Sequence, residues 1–345
     1  MTGSGAPKAI SLALQGGGSH GAFEWGLIER LLEEDRLEIR AVTAASGGAM
    51  NAAALASGLA TGGRAGAAKT LTALWRAVSD SDSRNTLGDS GLWSAMMTPP
   101  AWLQNTPAGR WAQGLTTTLS PYEFNPFNLN PLREAIDKTL DFKAIREQTA
   151  LALYVSATGV RTGKTRIFRE TEITADTLLA SACLPTAFQA VEVDGEPYWD
   201  GGYMANPALW PLFYDPTPDD ILIISLNPFR RADVPKTPGE IMDRLNEITF
   251  NASLSGELRA IAFVQKLLTE GLLTESARGR YRNMLVHAIM ADGRLDDLTM
   301  ASKFDTDWDF LQGLRARGRK AGEEWLKESF ADIGVRSTVD LKAFL

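Results

Sequence analysis

An α/β fold built on a mainly parallel sheet with covering helices is the class this amino-acid sequence predicts, and three observations predict it. The first sixty residues alternate strand and helix patterns. Residues 221–226 form a continuous apolar run bounded by Asp219-Asp220 and Asn227-Pro228, as expected of a strand buried on both faces. The chain has 345 residues, of which 44% are hydrophobic and 22% charged, enough to bury a sizeable core and close to an ordinary globular composition.

The elements follow in order. Residues 10–14 read as a strand, 22–33 as a helix, 39–44 as a second strand and 47–57 as a second helix; Gly62, Gly63 and Gly66 then loosen the chain before helix resumes over 71–77. From 79 to 131 the pattern breaks into SDSDSRN and a Pro-interrupted apolar segment holding Trp93, Met96, Met97, Trp102 and Trp111, which reads as a cap over a pocket or as a core-covering excursion. Residues 151–157 and 165–168 read as strands joined at Gly163-Lys164. Although GKT resembles part of a phosphate loop, the required upstream glycine is Thr158, so a hairpin turn is the better reading. A helix over 175–183 ends at Pro185, and 190–193 and 197–199 form a hairpin at Asp194-Gly195. Beyond 226 the chain reads as helical over 239–271 and 308–330, with a strand-like stretch at 281–289 between them. The expected organisation is a catalytic unit over 8–226, with 79–131 inserted as the cap, and a mostly helical extension over 227–345 packed on it.

Charge and cysteine content narrow the function. Against 42 Asp+Glu stand 35 Lys+Arg, a net charge of −7, and the basic residues are scattered except for Arg315, Arg317, Arg319 and Lys320, which read as a solvated helix face. Nucleic acid is therefore disfavoured as a partner. A single cysteine, Cys183, excludes an intrachain disulfide and a thiolate metal cage, and suits a reducing compartment. No apolar run approaches the ~20 residues of a membrane span, and the first eight residues carry no signal-peptide pattern. The expectation is a cytoplasmic protein able to meet a membrane peripherally.

Three constellations could carry chemistry. ISLALQGGGSHGAFEWG, residues 10–26, matches the dinucleotide fingerprint at Gly16, Gly18 and Gly21, but that fingerprint wants a carboxylate at the end of the next strand, where the chain reads Val42-Thr43-Ala44-Ala45. VTAASGGAMNAAAL, residues 42–55, places Ser46 at a strand-to-helix turn among Ala44, Ala45, Gly47 and Gly48, the small neighbours a nucleophile elbow requires. YWDGGY, residues 198–203, delivers Asp200 at a strand end before two glycines. Taken singly, each also reads as plain structure: a tight turn, a helix N-cap and an Asp-Gly turn. The first two gain weight together, because loops at the C-terminal ends of successive parallel strands emerge on one edge of the sheet. There Gly16, Gly17, Gly18 and Gly47 would form an oxyanion hole, the N–H groups of Gly17, Gly18 and Gly47 stabilising the charge of an acyl intermediate formed at Ser46. The chain has two histidines, His20 and His287, so a Ser-His-Asp triad has little material.

GGGSHG, ASGG and DGG in this order, with SACLP at 181–185 and Asn206-Pro207, resemble the patatin-like phospholipases over roughly residues 8–226. The resemblance implies a three-layer sheet sandwiched by helices and hydrolysis of lipid or other apolar esters without metal or organic cofactor. It implies Ser46 as nucleophile and Asp200 as its base, working at a lipid, membrane or lipid-granule surface. Members of that family usually carry Arg or Lys where this chain has His20, and Gly where it has Ala44. Two alternatives stand beside it: an α/β-hydrolase-type esterase using Ser46, Asp200 and His287, and a lipid- or polyester-binding protein without catalysis.

Overall fold

The computed structural model describes residues 6–83 and 119–344, so most of the expected cap, including its aromatic stretch at 93–111, lies outside the described residues. The strands are β1 (Lys8–Leu14), β2 (Leu37–Ala44), β3 (Ala152–Gly159), β4 (Thr165–Arg169), β5 (Val191–Val193), β6 (Glu196–Asp200), β7 (Asp220–Ile224) and β8 (Leu285–Ile289). They form one sheet in the order β5-β6-β3-β2-β1-β7-β8, with β4 also paired to β3. The pairings from β3 through β2, β1 and β7 to β8 are parallel, whereas β4, β5 and β6 join antiparallel.

Two buried faces explain the composition of the central strands. Ile10, Leu12 and Leu14 of β1 and Leu222 and Ile224 of β7 enter one hydrophobic cluster, while Ala13, Ile221 and Ile223 enter a second. Strand residues alternate between faces, so both sets must be apolar and the strands read as continuous runs. Helices α1 (Gly21–Leu32), α2 (Ser46–Ser83) and the C-terminal helix cover the first face. A helix spanning Pro238–Thr269 covers the second through Leu254, Leu258 and Ile261. With α3 (Pro131–Thr139) and α4 (Ala175–Ser181) between, these last two are α6 (Trp308–Ser329) and α5 (Pro238–Thr269) respectively. The result is the expected three-layer arrangement. α2 is broken at Gly62 and Gly63, whose φ values of −159° and 60° leave the helical range, where three glycines had suggested loosening.

The basic run on α6 is engaged locally. Arg315 pairs with Glu29 at 2.8 Å, Arg317 with Asp297 at 2.7 Å and Arg319 with Glu33 at 2.8 Å. The expected boundary at 226/227 falls between β7 and β8, which pair along five residues of the same sheet, so residues beyond 226 also build the sheet itself.

The register of β3 positions the site. Tyr154 pairs with Thr43 of β2 and with Arg169 of β4, while Ala157 pairs with Arg166 of β4 and with Asp200 of β6. A strand residue has one neighbour on each edge, so β2 and β6 share the same edge of β3, one after the other. β2 ends at Ala44 opposite Val155, and β6 arrives from the other direction with Asp200 opposite Ala157. The residues that follow Ala44 and the side chain at the end of β6 therefore meet in one gap.

Candidate active site

Ser46 occupies that gap. It follows β2 by two residues, begins α2, and has φ of 52°, a left-handed conformation that L-residues adopt at a cost of roughly 1–2 kcal/mol. Among the described residues the other non-glycine positions with positive φ are Asn128 and Asp194, the latter in the β5–β6 hairpin turn. Ala44 is not among them, so alanine at that position brings no backbone strain. The strained turn is held from outside: the Ser46 N–H donates to Ser181 Oγ at 2.9 Å, and the Ser156 hydroxyl is shared between the Ala205 carbonyl at 2.9 Å and the Ala44 carbonyl at 3.2 Å. Ser181 opens the SACLP motif, whose Cys183 carbonyl accepts the Asp200 N–H at 2.8 Å. That short motif thus ties the serine turn to the aspartate strand.

Asp200 is fully buried, and its Oδ1 accepts the Gly202 N–H at 2.7 Å. Burial pushes its carboxyl up to about 6, against the opposite pull of the Ser46 hydroxyl, the Gly202 N–H and the Lys303 charge. Oδ2 has no hydrogen-bond partner among the described residues. The Ser46 hydroxyl lies near enough to favour the ionised carboxylate but too loosely for a well-formed hydrogen bond to Oδ2, a looseness common in sites without substrate.

The glycine loop packs directly on the elbow. A methyl at Gly16 would stand 2.7 Å from Ser46 Cβ, and one at Gly47 would stand 2.6 Å from the Gly18 carbonyl oxygen, so the two loops touch through main chain. The Gly16 N–H donates to Asn206 Oδ1 at 2.6 Å and is not available to a substrate. The N–H groups of Gly17 and Gly18 make no hydrogen bond among the described residues, and Gly47 is the second residue of α2. Below the loop, Gln15 Oε1 accepts the N–H groups of Leu226 and Asn227, each at 2.8 Å, which fastens the glycines to the end of β7.

His20 is buried beneath the same loop. Its Nε2 lies 2.8 Å from Ser302 Oγ, and because that hydroxyl donates to the Thr299 carbonyl at 2.8 Å, the imidazole is the donor. Burial, assisted by the Lys303 charge, drives the ring down to about 3, so His20 is neutral across the physiological range. The chain from which Lys303 projects was silent in the sequence: this part-buried lysine lies 103 positions past Asp200 and in no recognisable motif. The one clue in the sequence is His20 itself, in the glycine motif and neutral in the fold.

His287 does not reach the site. It is buried in β8, with Nε2 2.9 Å from Asp220 Oδ1 and Nδ1 3.1 Å from Thr338 Oγ1, so both ring nitrogens are engaged. β8 lies three strand spacings from β2, roughly 14 Å. The triad Ser46, Asp200, His287 is therefore excluded, because sheet order separates a histidine that chain order had made plausible.

A cavity of about 480 Å³ opens over Ser46 and Asp200, within the usual size of ligand pockets. Met50, Leu74, Trp75, Leu132, Met242 and Phe304 give it apolar walls, and Asp200 and Lys303 are the charged carboxylate and ammonium among the described residues lining it.

The family model for patatin-like phospholipases matches residues 12–213. No curated protein sequence matches the chain. Among solved structures, VipD from Legionella pneumophila aligns at 16% identity over 90% of this chain and 67% of its own, with a TM-score of 0.38. The type III effector protein ExoU aligns at 15% identity over 94% of this chain and 53% of its own, TM-score 0.37. ExoU from Pseudomonas aeruginosa, in complex with SpcU, aligns at 16% identity over 93% and 53%, TM-score 0.32. The chain thus spans about two thirds of VipD and about half of ExoU.

Proposed function

Since the chain belongs to the patatin-like phospholipase family, we propose that it is a serine acyl hydrolase cleaving lipid or other apolar esters through a dyad of Ser46 and Asp200. The observation that carries this reading is the convergence of a serine in a strained left-handed turn with a fully buried carboxylate at the floor of one apolar cavity. Neither feature serves stability: the turn costs conformational energy and the carboxylate costs solvation, the pattern expected where strain and perturbed acidity serve chemistry.

In the proposed reaction, Ser46 Oγ attacks the ester carbonyl while Asp200 accepts its proton. A carboxylate whose affinity for protons has been raised to about 6 is a better base than an exposed one and is still ionised at neutral pH. The oxyanion is received by the Gly17 and Gly18 N–H groups and by that of Gly47 at the N-terminus of α2, where the helix end favours negative charge. Gly16 has a different part, letting the loop lie against Ser46 while Asn206 holds its N–H. Protonated Asp200 then returns the proton to the leaving alcohol, and water repeats the sequence on the acyl-enzyme. The apolar walls suit an acyl chain, and Met242 and Leu245 on α5 line the cavity while remaining about half exposed, at 55% and 51%. Entry from an aggregated lipid surface fits that exposure.

Covalent labelling by a fluorophosphonate tests the reading. Modification of Ser46 in the wild-type protein, lost together with ester hydrolysis in Ser46→Ala, is the expected result. A wild-type protein that takes no label and turns over no ester would be a lipid-binding relative without catalysis.

A further inference from the structure

We propose that Lys303 is the counter-charge of this site, a positioning residue that balances the single negative charge passing from Asp200 to the oxyanion and seats the glycine loop from a part of the chain outside the family-matched span. This role rests on the dyad reading and deepens it.

Geometry carries the assignment. Lys303 lies in the short 3-10 turn Ala301–Phe304, which packs on the glycine loop: Ser302 bonds His20, and the Lys303 carbonyl abuts Gly18 so closely that any side chain there would overlap it. The ammonium turns inward. Its Nζ donates to Asn227 Oδ1 at 2.7 Å and to Asn246 Oδ1 at 2.6 Å, and lies 5.2 Å from the Phe250 ring centre. Asn227 in turn donates from Nδ2 to the Gly16 carbonyl at 3.1 Å, so the cation and the glycine loop share one amide. An ammonium has three donors, and Lys303 lines the cavity beside Ser46 and Asp200.

The surrounding charges leave Asp200 as its counterpart. Glu247, Asp200 and Asp243 all act on the Lys303 ammonium. Glu247 is already matched by two cations, Arg231 at 3.1 Å and Arg244 at 2.9 Å, and Asp243, which accepts the Met300 N–H at 3.2 Å, also feels the Arg231 charge. His20, the remaining titratable neighbour, is neutral. During acylation the site's negative charge leaves Asp200, which becomes protonated, and appears on the substrate oxygen. A fixed, part-buried cation stabilises both states, and its loss would leave the fully buried Asp200 carboxylate without its neighbouring charge, the costly outcome. Burial also lowers the Lys303 ammonium to about 8, so the cation is present below that pH and the Asp200 base above about 6.

The pH profile of kcat tests this. The wild-type enzyme should be active between limbs near 6 and 8. In Lys303→Met, kcat should fall about 10²-fold with KM changed far less, the acid limb should move up by about one unit as Asp200 loses its neighbouring cation, and the alkaline limb should disappear. Lys303→Gln, which keeps an amide donor for the asparagines without the charge, should shift the acid limb equally. Lys303→Arg should restore the acid limb and extend activity to higher pH. Unchanged profiles in the Met and Gln variants, with wild-type labelling of Ser46 by a fluorophosphonate, would overturn the role of Lys303 alone. A shift in Met but not in Gln would make the effect one of packing and equally overturn it. Failure of the wild-type protein to label at Ser46 would refute the dyad and this assignment together.

Discussion

Substituting alanine at Gly18 and at Gly17 should have very different consequences, although the two glycines are adjacent and both N–H groups are assigned to the oxyanion. Gly18 has φ of 57°, and a methyl there would overlap the Lys303 carbonyl oxygen and stand 3.2 Å from its carbon. The left-handed backbone alone costs alanine roughly 1–2 kcal/mol, and the overlap with main chain adds a displacement that no side-chain rotation relieves. Gly17 has φ of −172°, ordinary extended backbone, and its methyl would meet Leu226 Cδ1 at 2.9 Å, the end of a side chain that can turn away. Gly18→Ala should therefore move the loop and lose the oxyanion donors, lowering kcat about 10²–10³-fold with little change in KM, since the oxyanion exists only after attack. Gly17→Ala should cost less than about tenfold, because Leu226 Cδ1 can turn away and the contact with Leu226 Cβ at 3.1 Å asks only a shift of a few tenths of an ångström. Steady-state kinetics on a short-chain nitrophenyl ester, with melting curves to verify folding, measure both. Gly18→Ala within threefold of wild type, or Gly17→Ala as damaging as Gly18→Ala, would refute the reasoning.

Asp200→Asn should abolish turnover yet raise the melting temperature at pH 8. The folded-state value of about 6 exceeds the ordinary 3.8, so the fold binds this proton more tightly than the unfolded chain does; the contribution of Asp200 to stability falls as pH rises from about 4 to 6 and stays unfavourable above it. Calorimetry at pH 8 and pH 4 should show a gain at the first that vanishes at the second, and a lower melting point at pH 8 would contradict the sign. His287→Ala should leave kcat within about threefold of wild type while destabilising the protein by about 2 kcal/mol, because it strips a partner from Asp220 in the buried edge of the sheet. A collapse of kcat comparable to that of Ser46→Ala, in a folded protein, would reinstate the histidine as the base.

Most of the sheet was legible in the sequence because strand and helix patterns are local. Residues 10–14, 39–44 and 221–226 announce themselves by composition, and the two turns that matter most, at Ser46 and at Asp194-Gly195, are marked by small or left-handed-tolerant neighbours within a few positions. The meeting of the glycine loop with the serine turn was legible for a related reason: β1 and β2 are parallel and deliver successive loops to one edge. Asp200 comes in on antiparallel β6, and only the register along β3 sets it beside them. What tertiary structure alone decided is which polar groups are already spoken for. Gly16 looks like its neighbours in sequence, yet its N–H belongs to Asn206, 190 positions away. Chain order allowed His287 into a triad, and the pairing of β8 outside β7 removed it. The cation came from nowhere near the glycine motif: His20 meets Ser302 across 282 positions, and Lys303 arrives beside it. A hydrogen bond or a buried charge pair depends on ångström-scale register between segments whose separation along the chain carries no pattern. Periodicity can therefore state that a loop reaches the sheet edge, and only the packed fold states which partner waits there.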